Sequence, residues 1–359
     1  MNHICTWFCA DEKGHESIFP QTGQKSSSAA HQHIYWRCLL LFYATSKRFN
    51  TGEKHVFFTN VRELPVVDGR NTADILCDLN VEVVYTNFRY RTPKGYFGMF
   101  QNQFYEFSIL EYIVGHNTRQ GDQYLILDSD CIFLHPVDSL FKEAEVQGFM
   151  SFEDDCTTDL VIHGLSRRDM KALYEDLLQR PVSEIPGYHL GEFFLASVSN
   201  INLIFADFLV LWPELLRRFG AGQPKFNEEA HTLSYIYYKN GLLASPKRTI
   251  MKRIWTNPVF YRNVEKTDPD LAIWHLPSEK TYGLADLYEV IVRDSPDYSL
   301  SLDDAAYRQT VQAKLGIPNL TLSRRLKYYV LSYSRALTKR IRKVPVVRQL
   351  AASFNPEFN

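Results

Sequence analysis

The sequence predicts an α/β protein, and three observations carry that reading. Short apolar runs of strand length recur along most of the chain, separated by stretches with helical spacing. One run, Tyr124 to Leu127, ends abruptly in Asp128-Ser129-Asp130, two carboxylates one residue apart. Near the end the chain changes character: from Ala305 to Pro356 there is no Asp or Glu, but there are eleven Lys and Arg.

The elements follow in order. His3 to Cys9 reads as a first strand, followed by a polar, Ser- and Gly-rich loop through Gln32. Tyr35 to Thr45 has Trp36, Leu39, Leu40 and Tyr43 on one helical face. His55 to Thr59 and Val81 to Tyr85 are the second and third strands. Phe100 to Val114 is an amphipathic helix with Phe104, Phe107, Leu110 and Val114 inward. The strand ending at Asp128 comes next, and apolar residues resume from Cys131 to Leu134 before Pro136 stops them. Strands alternating with helices imply a parallel sheet with crossover connections and ligands at its carboxyl edge.

Beyond Pro136 the pattern continues less regularly. Gly148 to Phe152 is strand-like and runs into Glu153-Asp154-Asp155, and Met170 to Gln179 is helical. Tyr188 to Ser197 is a strand carrying Gly191, and Asn202 to Phe219 a long apolar helix. Phe226 to Asn240 is a helix opening with acidic residues, with Asn227 placed to cap it. No linker, internal repeat or low-complexity segment divides these parts.

Composition sets outer bounds. At 359 residues, 45% hydrophobic and 23% charged, the chain has ample core for one large domain or two packed halves. A net charge of −1 points to no partner by itself, and the aliphatics interleaved with the cations of the tail suit a bilayer better than a nucleic-acid phosphate track. The six cysteines are scattered, several inside apolar runs, which fits reduced, buried thiols. His3, Cys5 and Cys9 lack the second pair that a zinc site needs. The first residues lack the basic and apolar regions of a signal peptide, and Ile201 to Trp212 is too short and too polar to span a bilayer. A cytoplasmic protein is expected.

Two carboxylates between apolar runs are costly unless something neutralises them. Mg²⁺ or Mn²⁺ takes oxygen ligands and bridges carboxylates to phosphate oxygens. A hydrophobic strand running into Asp128-Ser129-Asp130, then an apolar run and a Pro-containing turn, resembles the DXD motif of GT-A-fold, nucleotide-sugar-dependent glycosyltransferases. The resemblance implies a GT-A-like Rossmann-type mixed sheet flanked by helices, here with a C-terminal helical extension. It assigns residues 1–140 to a nucleotide-sugar-binding half, 141–290 to an acceptor half and 291–359 to the extension.

It also implies roles for particular residues. Asp128, Asp130 and His275, the last in Ile273-Trp274-His275-Leu276-Pro277, are the expected metal ligands. Thr6, Gln103, Asp128, Ser129, Gly191 and Lys280 are the expected donor-binding residues, with Lys280 placed to neutralise diphosphate. Glu229, with Glu228 behind it as the alternative, resembles the acidic pair that supplies the base in inverting members. Favourable helix-dipole charge explains the same pair without catalysis. Asp154, Asp155 and Glu192 are acceptor-site candidates, although Glu153-Asp154-Asp155 also reads as a solvated loop.

In the tail, Leu322, Leu326, Tyr329, Val330, Tyr333, Leu337 and Ile341 recur at helical spacing. Arg324, Arg325, Lys327, Arg335, Lys339, Arg340, Arg342 and Lys343 fill much of the remainder, and Pro345 ends the pattern. A basic amphipathic helix of this kind reads as a membrane-surface element, each cation near an anionic leaflet contributing ~1 kcal/mol. A helix that packs its apolar face on the domain and exposes its charges has the same pattern. The expected function is therefore sugar transfer to a membrane-presented glycan or lipid-linked acceptor in surface polysaccharide biosynthesis, on the inner leaflet of the cell membrane. Two alternatives are a sugar-1-phosphate nucleotidyltransferase, which usually needs a Gly-rich basic loop that Ala10 to Gln32 lacks, and a non-catalytic membrane-binding scaffold.

Overall fold

The computed structural model describes residues 1–16, 18–19, 24–246, 250–257 and 260–341. The chain opens with β1 (Asn2–Phe8) and α1 (Ala29–Phe49), then β2 (Lys54–Thr59), α2 (Thr72–Asp78) and β3 (Val81–Tyr85). A 3₁₀ turn, Gln101–Phe104, leads into α3 (Tyr105–His116), followed by β4 (Gln123–Leu127) and β5 (Cys131–Phe133). The next elements are α4 (Asp138–Gln147), β6 (Phe149–Asp154), α5 (Arg167–Leu178), β7 (Tyr188–Ser197), α6 (Val198–Gly220) and α7 (Glu229–Asn240). Last come β8 (Met251–Arg253), β9 (Ile273–His275), α8 (Gly283–Tyr288), α9 (Asp304–Leu315) and α10 (Leu322–Ile341).

Six strands make a mixed sheet in the order β6-β7-β4-β1-β2-β3. The expected parallel arrangement holds for β4, β1, β2 and β3. It fails at one edge, where β7 runs antiparallel to both β4 and β6, because α5 returns the chain to the end of the sheet at which β6 left it. The chain winds outward from β1 through β2 to β3, then returns to β4 on the other side of β1. Such a reversal leaves a crevice beyond the carboxyl ends of the two strands, where ligands bind in open α/β sheets. Leu127, the last residue of β4, delivers Asp128 directly to it.

Alternation along the central strands divides the interior in two. Ile4, Phe57, Leu125 and Leu127 face a core shared with α1, α4, α8 and α9. Cys5, Val56, Phe58, Tyr124 and Ile126 face a second core built on α3, α5, α6 and α7. All six cysteines are free thiols, four of them buried. Helix α1 starts well before the expected Tyr35, because Ser28 caps it by accepting from the His31 amide at 3.2 Å. Helix α6 is long and apolar enough to cross a bilayer by length and composition. In this fold Ile201, Ile204, Phe208 and Leu215 are buried in the second core, while Leu203, Leu209 and Val210 are exposed.

The end of the chain is tied to the first core. Tyr307, Val311 and Leu315 of α9 are buried there, and the Tyr307 hydroxyl donates to the Phe133 carbonyl at 2.8 Å. Helix α10 inverts the arrangement in which apolar residues pack and charges face out. Leu322, Leu326, Tyr329, Val330 and Tyr333 are exposed, whereas Arg324 and Tyr328 are buried. Arg324 therefore does not contribute to an outward cationic surface, since its guanidinium is spent on Glu279. Lys327 is ion-paired with Asp286 at 2.6 Å, and Arg325 is exposed. The side chains of Arg335, Lys339 and Arg340, and all of Arg342 and Lys343, lie outside the described residues.

Candidate metal centre

Two pieces of backbone bring the metal-ligand candidates together. Asp128 and Asp130 flank the turn between β4 and β5, and β5 pairs antiparallel with β9 so that Cys131 lies opposite His275. The Leu276 amide then donates to the Asp130 carbonyl at 3.1 Å. This short ladder, between segments far apart in sequence, sets His275 Nε2 3.2 Å from Asp130 Oδ2 and 3.6 Å from Asp128 Oδ2. One donor atom from each of the three residues lies within 4.8 Å of the others.

The donor set fits a hard divalent cation with one imidazole ligand. Both His275 nitrogens are buried without a well-aligned hydrogen-bond partner among the described residues, as expected of a ring aimed at something other than a proton donor. Behind the ring, Glu192 Oε1 lies 3.2 Å from Nδ1. Arg253 fixes that carboxylate, its Nε 2.7 Å from Glu192 Oε1 and its second nitrogen on Oε2. A carboxylate lying beside the far nitrogen of a metal-binding imidazole is placed to set its tautomer and orientation. Glu192, expected to meet an acceptor, lines the cleft and also lies behind His275.

Charge is unevenly shared across the pair of aspartates. Burial pushes both carboxyls up, but at Asp130 the Lys280 ammonium and His275 outweigh burial and hold it well below the usual range. Lys280 is itself buried and ion-paired with Asp130. Asp128, farther from that ammonium and repelled by Asp130, is raised by burial and by its neighbour. The site thus carries one firmly ionised carboxylate and one that gains from any added positive charge.

A cleft of about 810 Å³ opens over this centre. Its lining takes in Gln103, Ser129, Gly191, Asp154 and Asp155, so donor and acceptor candidates face one space. Thr6 does not: it is fully buried, and its hydroxyl donates to the Leu127 carbonyl at 2.7 Å to tie β1 to β4. Asp154 Oδ2 lies 3.9 Å from Arg253. Gly191 sits opposite a register shift between β6 and β7, and a Cβ there would collide with Glu229 Oε1.

The two adjacent glutamates have opposite environments. Glu229 is pushed well above the usual range by burial, then by Glu228 and Glu106, and its Oε2 has no hydrogen-bond partner among the described residues. A carboxyl raised in this way favours its protonated form, whereas a general base must be ionised. Glu228 is equally buried but is held low, because His231, a bond with His163 and the Tyr188 hydroxyl at 2.6 Å outweigh burial. Helix α7 consequently begins at Glu229 and not at Phe226. The extended Glu228 makes no side-chain cap, and Asn227 bonds Lys225 at 3.0 Å and the His163 carbonyl at 3.0 Å.

Arg253 and His163 are the functional candidates that sequence reasoning missed. Each is a single residue in a short segment, and only the register of β8 against β9 and a turn against α7 show what they face. Neither has a spacing pattern that would have found it. Comparison with known proteins adds nothing to this geometry, since no family model and no curated protein matches the chain.

Proposed function

We propose that the chain is a metal-dependent glycosyltransferase of GT-A-like architecture. It would move a sugar from a nucleotide-sugar donor to a glycan or lipid-linked acceptor at a membrane surface, as in polysaccharide biosynthesis. The observation that carries this reading is the Asp128-Asp130-His275 cluster at the carboxyl ends of β1 and β4. These three residues would hold Mn²⁺ or Mg²⁺, and a bound cation supplies positive charge to diphosphate oxygens. Lys280, buried on the same centre, adds a second positive charge, and burial strengthens its effect on a leaving group that becomes more negative as it departs.

Helix α10 supports the membrane part of the reading. Its exposed stripe from Leu322 to Tyr333 is apolar, and the sequence from Ala305 to Pro356 has no acid and, apart from the buried Arg324 and the paired Lys327, nine further cations to complement an anionic inner leaflet. The test is a panel of UDP-, GDP- and dTDP-sugars, each with Mn²⁺ or with EDTA, scored by thermal shift and by nucleoside diphosphate release. Stabilisation and release by one nucleotide class, only with the cation, is the expected result. Inertness toward every donor in the panel contradicts the proposal.

A further inference from the structure

Between β6 and α5 the chain makes a tight turn, Ile162-His163-Gly164-Leu165. Ile162 and Leu165 exchange backbone hydrogen bonds at 2.9 and 3.1 Å. Both central residues have positive φ, 45° at His163 and 84° at Gly164. That is the type I′ geometry, which Gly adopts freely and which costs a histidine of order 1 kcal/mol.

The turn is fastened to the start of α7 at two points. Asn227 donates to the His163 carbonyl at 3.0 Å, and His163 Nδ1 bonds Glu228 Oε2. The other Glu228 oxygen accepts from the Tyr188 hydroxyl at 2.6 Å. Phe100 flanks the imidazole, with ring centres 4.8 Å apart.

Three consequences follow from this arrangement. Glu228, its side chain only 2% exposed at the edge of the cleft, has both oxygens engaged by His163 and Tyr188. The His163 side chain is 31% exposed and lines the same cleft as Asp128 and Gly191. With Nδ1 committed to the carboxylate, the free electron pair of the neutral ring is at Nε2, which no described residue bonds. An imidazole oriented through one nitrogen by a buried carboxylate, with the other open to a substrate cleft, is the arrangement of a general base.

We infer that His163, oriented by Glu228, is the general base that deprotonates the acceptor hydroxyl; this rests on the transferase reading. In the step, the acceptor proton passes to His163 Nε2 while the acceptor oxygen bonds the anomeric carbon. The bond from that carbon to the β-phosphate oxygen breaks, and its electron pair leaves with the nucleoside diphosphate. Glu228 stabilises the imidazolium so formed. A base acting in such an in-line displacement makes the transferase an inverting one. Glu229, packed against Gly191, is not the base in this step.

Two measurements test this. In ¹⁵N-histidine-labelled wild-type protein, the neutral His163 ring should be the Nδ1–H tautomer, assigned by loss of its signals in His163→Gln, and should revert toward Nε2–H in Glu228→Gln. An Nε2–H ring in the wild type overturns the proposal without reference to turnover. In the second, nucleoside diphosphate release from the UDP-, GDP- and dTDP-sugar panel is followed with Mn²⁺, water standing in for the acceptor. His163→Gln should lose about 100- to 10,000-fold in kcat. Its donor affinity should be unchanged, and added imidazole should restore part of the rate in His163→Ala. An active wild type with an equally active His163→Gln defeats the base alone. An inert wild type defeats the transferase reading, and the base with it.

Discussion

Arg324 Nη2 lies 2.7 Å from Glu279 Oε2 and 2.8 Å from Oε1, a bifurcated bond between the last helix and the residue that precedes Lys280. Glu279 is fully buried and also accepts from the Thr256 hydroxyl at 2.6 Å and the Gly283 amide at 2.8 Å. The basic tail is therefore anchored beside the candidate metal centre by a polar contact.

Removing one partner of a buried pair strands the other charge. Arg324→Gln should destabilise the fold by about 3 kcal/mol, since breaking such a pair typically costs ~3–5 kcal/mol and the amide recovers part of it. Denaturant unfolding measures this directly. A variant as stable as wild type would mean that the bond has little weight in solution.

The outward face of α10 yields a second prediction. Leu326 and Val330 are 58% and 68% exposed, so Leu326→Glu with Val330→Glu should leave the melting temperature nearly unchanged. The double variant should lose sedimentation with vesicles rich in phosphatidylglycerol. Wild type should bind them more weakly at high salt and should not bind phosphatidylcholine vesicles. Persistent sedimentation of the variant would remove the membrane role from this helix.

A third concerns pH. Burial, with Lys47 nearby, holds His55 down to about 3, against about 6.5 in an unfolded chain. Burial likewise holds His31 and His189 down to about 4, with Lys280 and Arg167 respectively adding to it. As the pH falls below the unfolded value, the unfolded state takes up protons that the native state does not. Stability is therefore complete above about pH 7 and declines toward about pH 4, by up to about 1.4 kcal/mol per pH unit for each histidine. Denaturant midpoints across that range check it. His55→Asn should flatten the dependence, and a wild-type profile that is flat would show that these rings are not held neutral.

Much of this was legible in the chain, for physical reasons. Val81–Tyr85 and Tyr188–Ser197 were readable at both ends, the first because Asn80 and Thr86 bound its apolar run and the second because Pro186-Gly187 precedes it and Ser197 closes its apolar end. Asp128, Asp130 and His275 were readable as a set only through resemblance, since the pairing of β5 with β9 that joins them leaves no local pattern. The reversal at β7 was hidden for the same reason: buried parallel and antiparallel strands share one composition. Glu228 and Glu229 look alike in sequence, and only their neighbours, His163 and Tyr188 for one and Glu106 and Gly191 for the other, separate their roles. In the tail the periodicity located the helix, but a stripe of Leu and Tyr does not say whether it faces protein or solvent. Arg324 decided that by turning inward to Glu279.

The central claim is that Asp128, Asp130 and His275 form a divalent-cation site, and Mn²⁺ titration followed by electron paramagnetic resonance tests it most directly. Wild type should bind one ion, and Asp130→Asn should bind none in the same range. Glu192→Gln should bind about 10- to 100-fold more weakly, because it removes the group that orients His275. A wild type that leaves Mn²⁺ free in solution, or an Asp130→Asn variant that binds it as wild type does, would contradict the account.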